Sequence, residues 1–574
     1  WSSRAKGERQ MRRQILALIA AAFAALSLVA CDAVPDSGPV REGLANLEQA
    51  ERGVFINPQG PAKGADPESI IRGFVRAASS NLNDYEIARE FLSPVYADQW
   101  DPSSGALVYE GAAQFEGESS NVASLALHVV AAVDAGGTMQ LADPETETKV
   151  RFELAQVGGE WRIASAPNGI IIDRSNFSSV WETRSLYFSS PDHRLVAEVR
   201  WLITDRSSLP SQTVTKITKA LIGGPSAAMA GAISTAFPEG TSLVGGTVPI
   251  VDGTAVIDVT SEIFDADETA MSAIKRQLAA SLQGLPGVVR FQIAVNGTVV
   301  GGGDVVTGED ALANEFQRIV ILKNGEFGTS AGTALNPIAG MSDQVAALSP
   351  TAVTVAPDLS EAVALHPGGI SWVAGGQTLA LDSRSGLLAP SLDQLGYVWV
   401  YSLSEPGEIT VINPGTGRLE LSPAWLDTLT VKAIRVSTGG NRLAVLVNND
   451  GTSEVRVAGI MRDESGAPIG LTDTATVQLH DLGAPIDIDW IGDNRFVLMS
   501  ETGLLGGSAK VAVGEVSGRF PIASGSVSGG ASISGGGGSR SLLRVLDDQH
   551  RLFKPQGSGW QQLMAGVDLI AKVG

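Results

Sequence analysis

Several side chains in this sequence stand in patterns that could do chemistry. Ser330, in Gly328-Thr329-Ser330-Ala331-Gly332, formally fits the nucleophile elbow, in which a strand ends in a strained turn leading directly into a helix and exposes the serine hydroxyl. The flanks are Lys323-Asn324-Gly325-Glu326-Phe327 and Leu335-Asn336-Pro337, which build no helix, so Ser330 is not expected to be catalytic. Asp487-Ile488-Asp489 with Asp493-Asn494 suggests calcium, but an EF-hand loop wants alternating oxygen ligands, a central Gly and a closing Glu, and Trp490 and Ile491 interrupt it. A turn between strands is the better reading. The five histidines, His128, His193, His366, His480 and His550, stand far apart, and none has a second His at metal-ligand spacing. No Gly-Lys dipeptide occurs, so there is no P-loop. The run Gly525 to Gly538 lacks a flanking helix to present amides to a phosphate and reads as a long flexible surface loop. Trp372, Trp399, Trp425, Trp490 and Trp560 could line a sugar-binding face, but tryptophans in repeated strands are expected in the core. No catalytic, metal or cofactor site is therefore expected.

One residue carries defined covalent chemistry. Arg12 and Arg13 precede an uncharged run from Ile15 to Ala30, which at about 16 residues is short for a membrane span and reads as the apolar region of a secretory leader. It ends in Leu28-Val29-Ala30-Cys31, and Cys31 is the only cysteine in the chain. The quartet resembles a bacterial lipobox. That implies cleavage after Ala30, S-diacylglycerol on the Cys31 thiol and N-acylation, with chains such as palmitate, of its freed amino group. Met11 is a better start than Trp1, so residues 1–10 are expected to be a mis-called start and 1–30 a signal peptide. One acyl chain binds a membrane marginally and two or three bind it firmly, so the mature chain is expected on the extracytoplasmic face of the cell membrane, anchored by lipid.

The length of 574 residues suggests about three or four domains, and 44% hydrophobic against 18% charged residues gives material for packed cores. A net charge of -21 argues against binding a phosphate backbone, which relies on Lys and Arg releasing counterions; nucleic acid is not an expected partner. With Cys31 lipidated no thiol is left, so the exported domains are expected to hold together by packing alone.

The elements that would position these residues fall into a multidomain order. Residues 31–63, with Pro35, Gly38, Pro39, Pro58, Gly60 and Pro61, read as a lipidated tether. At Asp66-Pro67-Glu68 an N-cap, a Pro at the first helical position and an acid precede Ile70, Ile71, Phe74 and Val75, an apolar face at helical spacing. A second helix is expected over Asp84 to Leu92. Strands follow at Val122 to Val133 and Val150 to Leu154, turning at Gly158-Gly159 into Trp161 to Ile163. This is an α+β N-terminal domain, 64–175, whose curved sheet could hold a ligand or be filled. From Ser185 the order is strand, strand, helix (from Ser211 to Gly223), hairpin through Asp252-Gly253, helix (opened by Asp267, stopped by Gly284) and hairpin through Asn296-Gly297. From Arg318 only short strands occur. Val353 to Leu365, Ile434 to Leu446 and Ile486 to Met499 share one phrase of strand, turn and apolar strand at a period of about 40–50 residues, in the range of propeller blades, with weaker copies at Leu392 to Tyr401 and Ile533 to Leu546. About five or six blades are expected over 318–574, with Arg318 to Leu322 joining the final blade to close the ring.

Leu186-Tyr187-Phe188, Leu221-Ile222-Gly223-Gly224-Pro225, Phe237 to Thr241 and Asp252-Gly253 with Val256 to Val259 resemble the GerMN module over 184–302. Together with the lipobox, the end of the first domain at Gly159-Glu160-Trp161-Arg162-Ile163 and Pro167 to Asp173, and the terminal propeller, the domain order resembles the LpqB family of actinobacterial lipoproteins. The resemblance implies no enzyme. It implies a regulatory accessory of a two-component sensor histidine kinase of the MtrB type, met through its extracytoplasmic domain and tied to cell-wall homeostasis and division. The residues themselves support a tethered stack of binding domains, so an envelope glycan or small-molecule sensor, with a cell-wall ligand in the propeller channel or the first sheet, remains the alternative.

Overall fold

The computed structural model describes residues 58–81, 83–142, 146–203, 210–305, 318–332, 334–449, 452–479, 483–501, 508–536 and 540–574. Cys31 and its leader lie outside them. Among the described residues no helix is long and apolar enough to cross a membrane.

The first domain opens with helix α1 (Pro67–Ala77), started as its sequence requires: the Asp66 carboxylate accepts from Ser69 N at 2.7 Å, and Pro67 occupies the first turn, where no N–H is needed. Its buried face, Ile70, Ile71, Phe74 and Val75, covers a sheet made of β1 (Gly105–Gly117), β2 (Val122–Asp134), β3 (Met139–Leu141), β4 (Glu147–Val157), β5 (Glu160–Ser165) and β6 (Ile170–Asp173). The strand order is β5-β4-β2-β1-β6, with β3 beside β2 and only β6 parallel to its neighbour. Phe74 is the centre of the core, edge-on to Trp100 at 5.1 Å and to Phe152 at 6.5 Å. The second helix is shorter than its apolar spacing predicts. Asn83, Asp84 and Tyr85 all take left-handed φ (49°, 58° and 59°), which forbids a helix start there, and only the single turn α2 (Glu86–Arg89) forms. Leu92 then makes a bridge to Ile163 instead of continuing the helix. Residues 58–63, expected as tether, already rest on this domain: Pro58 is buried and a Cβ on Gly60 would meet the Glu90 carboxylate.

Helix α3 (Arg174–Val180), capped by Asp173, leads into the second domain. Here β7 (Trp181–Ser189) and β8 (Leu195–Ile203) form a two-stranded ribbon beside a sheet of β9 (Ile250–Val251), β10 (Thr254–Val259), β11 (Arg290–Val295) and β12 (Thr298–Asp304) in the order β12-β11-β10-β9. Both predicted hairpins form, and their turns need positive φ at both central residues: Asp252 (48°) with Gly253 (75°), and Asn296 (48°) with Gly297 (78°). Helices α4 (Pro210–Gly223) and α5 (Glu268–Ser281) bury Val214, Ile217 and Leu221, and Ile274 and Leu278, against Ile257 and Ile293. Because α5 crosses between β10 and β11, those two strands run parallel.

The rest is a ring of six sheets among the described residues, blades I to VI in chain order. Six apolar clusters join each blade to the next, with Trp399 and Tyr401 packed against Ile434 and Val445 between III and IV, for example, and Phe496 and Trp490 against Leu446 and Val457 between IV and V. Both faces of the inner strands are thus covered, which is why strands such as Val398–Tyr401 and Arg495–Glu501 read as continuous apolar runs, while outer ones such as Gln377–Asp382 and Gly417–Leu421 are exposed. The ring closes where Ile319–Lys323 of blade I pairs with Val567–Ile570, Ile321 opposite Ile570, while Lys572 and Val573 pair in parallel with Thr354 and Val355 of blade II.

The Gly525 to Gly538 run is not a flexible loop over its described part. It forms Ile522–Ser528 and Gly530–Ser534, the last strand of blade V and the first of blade VI. Its glycines answer to lack of room: a Cβ on Gly530 would meet Ala509 Cβ at 2.8 Å and Met499 Sδ at 2.9 Å, and one on Gly535 would collide with the Trp490 carbonyl. Asp487 and Asp489 likewise stand within the strand Ala484–Trp490 and not in its turn, which is made by Ile491, Gly492, Asp493 and Asn494.

Candidate functional site

Of the described residues that the sequence singles out, the structure gathers Asp487 and Asp489 and leaves the others apart. Ser330 lies in mid-hairpin, on the strand Glu326–Ala331, with its hydroxyl donated to the Gly332 carbonyl at 3.1 Å and no helix following. His128 is exposed on β2, His193 and His550 occupy turns at left-handed φ, and His366 Nε2 meets Ser371 Oγ at 2.8 Å; His480 lies outside the described residues. Trp399 and Trp490 are buried between blades, and Trp372, Trp425 and Trp560 pack half-buried against the same clusters, so the five tryptophans form no common face.

What the fold does gather is a set of charges hidden in apolar strands. At the junction of the three domains, Glu198 and Arg200 of β8 form an ion pair of 2.8 Å with both side chains under a tenth exposed. Arg200 Nη1 donates to the Gly136 carbonyl of the first domain at 2.7 Å, and the Glu198 carboxylate accepts from Ser226 N at 3.2 Å. Arg442, from blade IV, donates to the Ala197 carbonyl in the same strand. Burial pushes the Arg442 pKa down, against the pull of Asp493 and Glu198. Next to this set Trp201 belongs to all three modules: its N–H donates to Gly137 O at 2.7 Å, its ring lies 4.9 Å from Phe177, and Nε1 donates to Ser517 O at 2.8 Å. The space left between Met139, Met229, Arg442, Gln478 and Ser517 is about 30 Å³, room for a water and little else.

A second buried set fills the propeller axis. Lys572 Nζ reaches Asp487 Oδ1 at 2.6 Å and the Ile488 carbonyl at 2.7 Å, while Asp487 also accepts from Ile533 N (2.9 Å) and Asp489 from Gly535 N (2.7 Å). Burial drives the Asp489 pKa up and that of Lys572 down; at Asp487 the opposing charges of Lys572 and Arg435 and its hydrogen bonds outweigh burial and hold the pKa below the carboxylate range. The Glu198, Arg200 and Arg442 set was not singled out in the sequence, and Asp487 and Asp489 read there as part of a turn and not as partners of a buried lysine. A signal was present: Glu198, Arg200 and Arg435 stand among apolar residues inside their strands, and Arg442 and Lys572 open theirs, positions where a charge is buried unless the strand is an edge.

One cleft of ligand-like shape stands in the first domain, between α1 and the sheet, with a volume of about 190 Å³. Arg72, Arg76 and Tyr109 line it.

Comparison with known proteins follows the same three-part division. Residues 60–178 match the model of the family described as "Lipoprotein LpqB, N-terminal domain", 185–301 that of "Sporulation and spore germination", and 325–569 that of "Lipoprotein LpqB beta-propeller domain". Lipoprotein LpqB of Bifidobacterium longum is 27% identical, over 82% of this chain and 82% of that one; its counterpart in Cutibacterium acnes is 22% identical, over 98% and 99%. Among solved structures, the first GerMN domain of the sporulation protein GerM from Bacillus subtilis is 21% identical over 22% of this chain and 94% of that one, with a TM-score of 0.18. Three domain models in this order, and relatives of one name that run the whole length, establish that the chain belongs to the LpqB lipoprotein family.

Proposed function

We propose that the protein is an extracytoplasmic lipoprotein, anchored in the cell membrane through acylated Cys31, that acts as a regulatory accessory of an MtrB-type sensor histidine kinase in signalling tied to cell-wall homeostasis and division. The observation that carries this reading is the junction at Glu198, Arg200 and Arg442. It makes one body of three modules, and such a body offers a partner a broad surface whose parts cannot shift independently. The names of its relatives support the lipid anchor, and the lipobox supplies its attachment point. An enzyme is not proposed: Ser330 lacks the elbow geometry, and Glu198 with Arg200, like Asp487 with Lys572, are paired with each other.

The alternative, a sensor of an envelope glycan or small molecule, is favoured by the cleft in the first domain and not by the propeller axis, where Lys572 and Asp487 already meet. The test is to immobilise the full chain and offer it the extracytoplasmic domain of the kinase. Retention of that domain, reduced by substitutions on one face of the molecule, is expected. If cell-wall fragments are retained and the kinase domain is not, the accessory role is wrong.

A further inference from the structure

We propose that the cleft between α1 and the sheet of the first domain binds a small organic oxyanion, a carboxylate or phosphate monoester on an apolar body, gripped by Arg72 and Arg76 with the Tyr109 hydroxyl as a further donor. This goes beyond the kinase reading and does not depend on it.

The site is built by two local features. Arg72 and Arg76 are one helical turn apart, so both guanidinium groups leave α1 on the same edge, beside the buried face that fixes the helix to the sheet. Opposite them β1 loses register with β2 between Glu110 and Gln114, a bulge that turns the Ala113 carbonyl out of the ladder; Arg72 Nη1 takes it at 3.0 Å. The helix edge is thereby held away from the strand, and a cleft of about 190 Å³ remains, below the range of about 300–1,000 Å³ for drug-sized ligands and suited to a smaller molecule.

Its lining is divided. Val75, Ala113, Leu125 and Ile172 make an apolar floor, while the two arginines, Tyr109 and Asn176 bring donors to the rim. Arg72 is partly engaged, by Glu68 at 2.7 Å. Among the described residues neither the Arg76 guanidinium nor the Tyr109 hydroxyl has a hydrogen-bond or ion-pair partner, the Arg76 carbonyl alone accepting from Ser79. Asp173, beside Tyr109 in the strand pairing, is the one carboxylate in the lining, and its Oδ1 is taken by Ser175 N at 2.8 Å and by the Ser175 hydroxyl. With Glu68 on Arg72, it brings the formal charge at the cleft to zero, so the grip rests on the donors left free at Arg76 and Tyr109 and not on a net positive charge. Burial, and then Asp173, push the Tyr109 pKa up against the pull of both arginines, so the phenol stays a donor at neutral pH. Guanidinium groups bind carboxylate and phosphate through paired hydrogen bonds.

The experiment uses the full chain with benzoate, phenyl phosphate and, as the neutral counterpart, benzyl alcohol, followed by ligand-observed saturation-transfer NMR at physiological salt. At least one anion is expected to bind while benzyl alcohol does not. Arg76→Gln, on an exposed and unpartnered side chain, is expected to weaken anion binding by about tenfold or more. Asn176→Asp, which keeps the side-chain shape and adds a negative charge at the rim, should weaken it as well. Phenyl phosphate alone or benzoate alone as the bound species identifies which oxyanion the site takes. The inference is overturned if neither anion binds, if benzyl alcohol binds equally well, or if both variants bind like the parent protein.

Discussion

Lys572 and Asp487 meet at 2.6 Å on the propeller axis, although Lys572 belongs to the strand that closes the ring on blade II and Asp487 to blade V. Lys572 is buried and Asp487 nearly so, and each is the other's nearest opposite charge. Removing one member of such a pair leaves the second charged and unsolvated, which costs about 3–5 kcal/mol. Lys572→Met should lower the stability of the chain by that amount in chemical denaturation. Replacing both, as Lys572→Met with Asp487→Leu, should recover much of the loss, since a well-packed apolar pair can match a buried ion pair. A double variant no more stable than the single one would show that the pair does not act as a unit.

Acid sensitivity should trace in part to Asp382. Burial pushes its pKa up, but the hydrogen bonds and charge of Arg384, at 2.7 Å, and the charge of Arg418 more than offset this and leave it below the ordinary value. A carboxylate with a depressed folded-state pKa contributes stability in full above its unfolded value, about 3.9, and loses it as pH falls through the folded value. Asp382→Asn should therefore destabilise the protein at pH 7, and the gap between variant and parent should shrink below about pH 4. Urea midpoints measured from pH 7 to pH 3 test this; a gap that stays constant across the series contradicts it.

Gly459 marks where the second domain leans on blade IV. Its N–H donates to the Ala228 carbonyl at 3.3 Å, and an added Cβ would stand 2.9 Å from Ala232 Cβ and from Thr472 Cγ2. Neither neighbour is the end of a flexible chain, so Gly459→Val should pry the two surfaces apart at a cost of about 1–3 kcal/mol. Faster amide exchange confined to residues near 226–234 and 457–474 is the expected signature, with the first domain unchanged.

The anchor is testable in the cell. Cys31→Ala removes the thiol that diacylglycerol would alkylate, so the protein should move from the membrane to the soluble or medium fraction. Persistence in membranes after a high-salt wash would refute the lipobox reading.

The parts of this fold that were legible in the sequence are those decided locally. Asp66 and Asp267 cap their helices, and Asp252-Gly253 and Asn296-Gly297 make their hairpins, because the residue and its backbone need are adjacent. The blade phrase was legible for the same reason. What misled was composition taken as conformation: the serine-glycine run after Gly525 looked mobile, whereas its glycines exist because Ala509, Met499 and Trp490 approach from other strands. The charges at Arg442 and Lys572 depend on partners 245 and 85 residues away, and no spacing rule reaches that far. The cleft was legible only as a possibility of the curved sheet, because the bulge that opens it lies in β1 and the arginines that line it lie in α1.

The ring closure also sets an order of events. Ile321 pairs with Ile570, so the first blade lacks a strand, and Asp487 lacks its cation, until residues 567–573 have emerged and reached the other end of the same ring. Contacts so distant in sequence form slowly, since the entropy of bringing them together is lost before they reward it. The blade edge beside Ile319–Lys323 stays open for that interval, as a template on which another strand could add. The propeller is therefore completed as a clasp, fastened only after the rest of the chain has arrived.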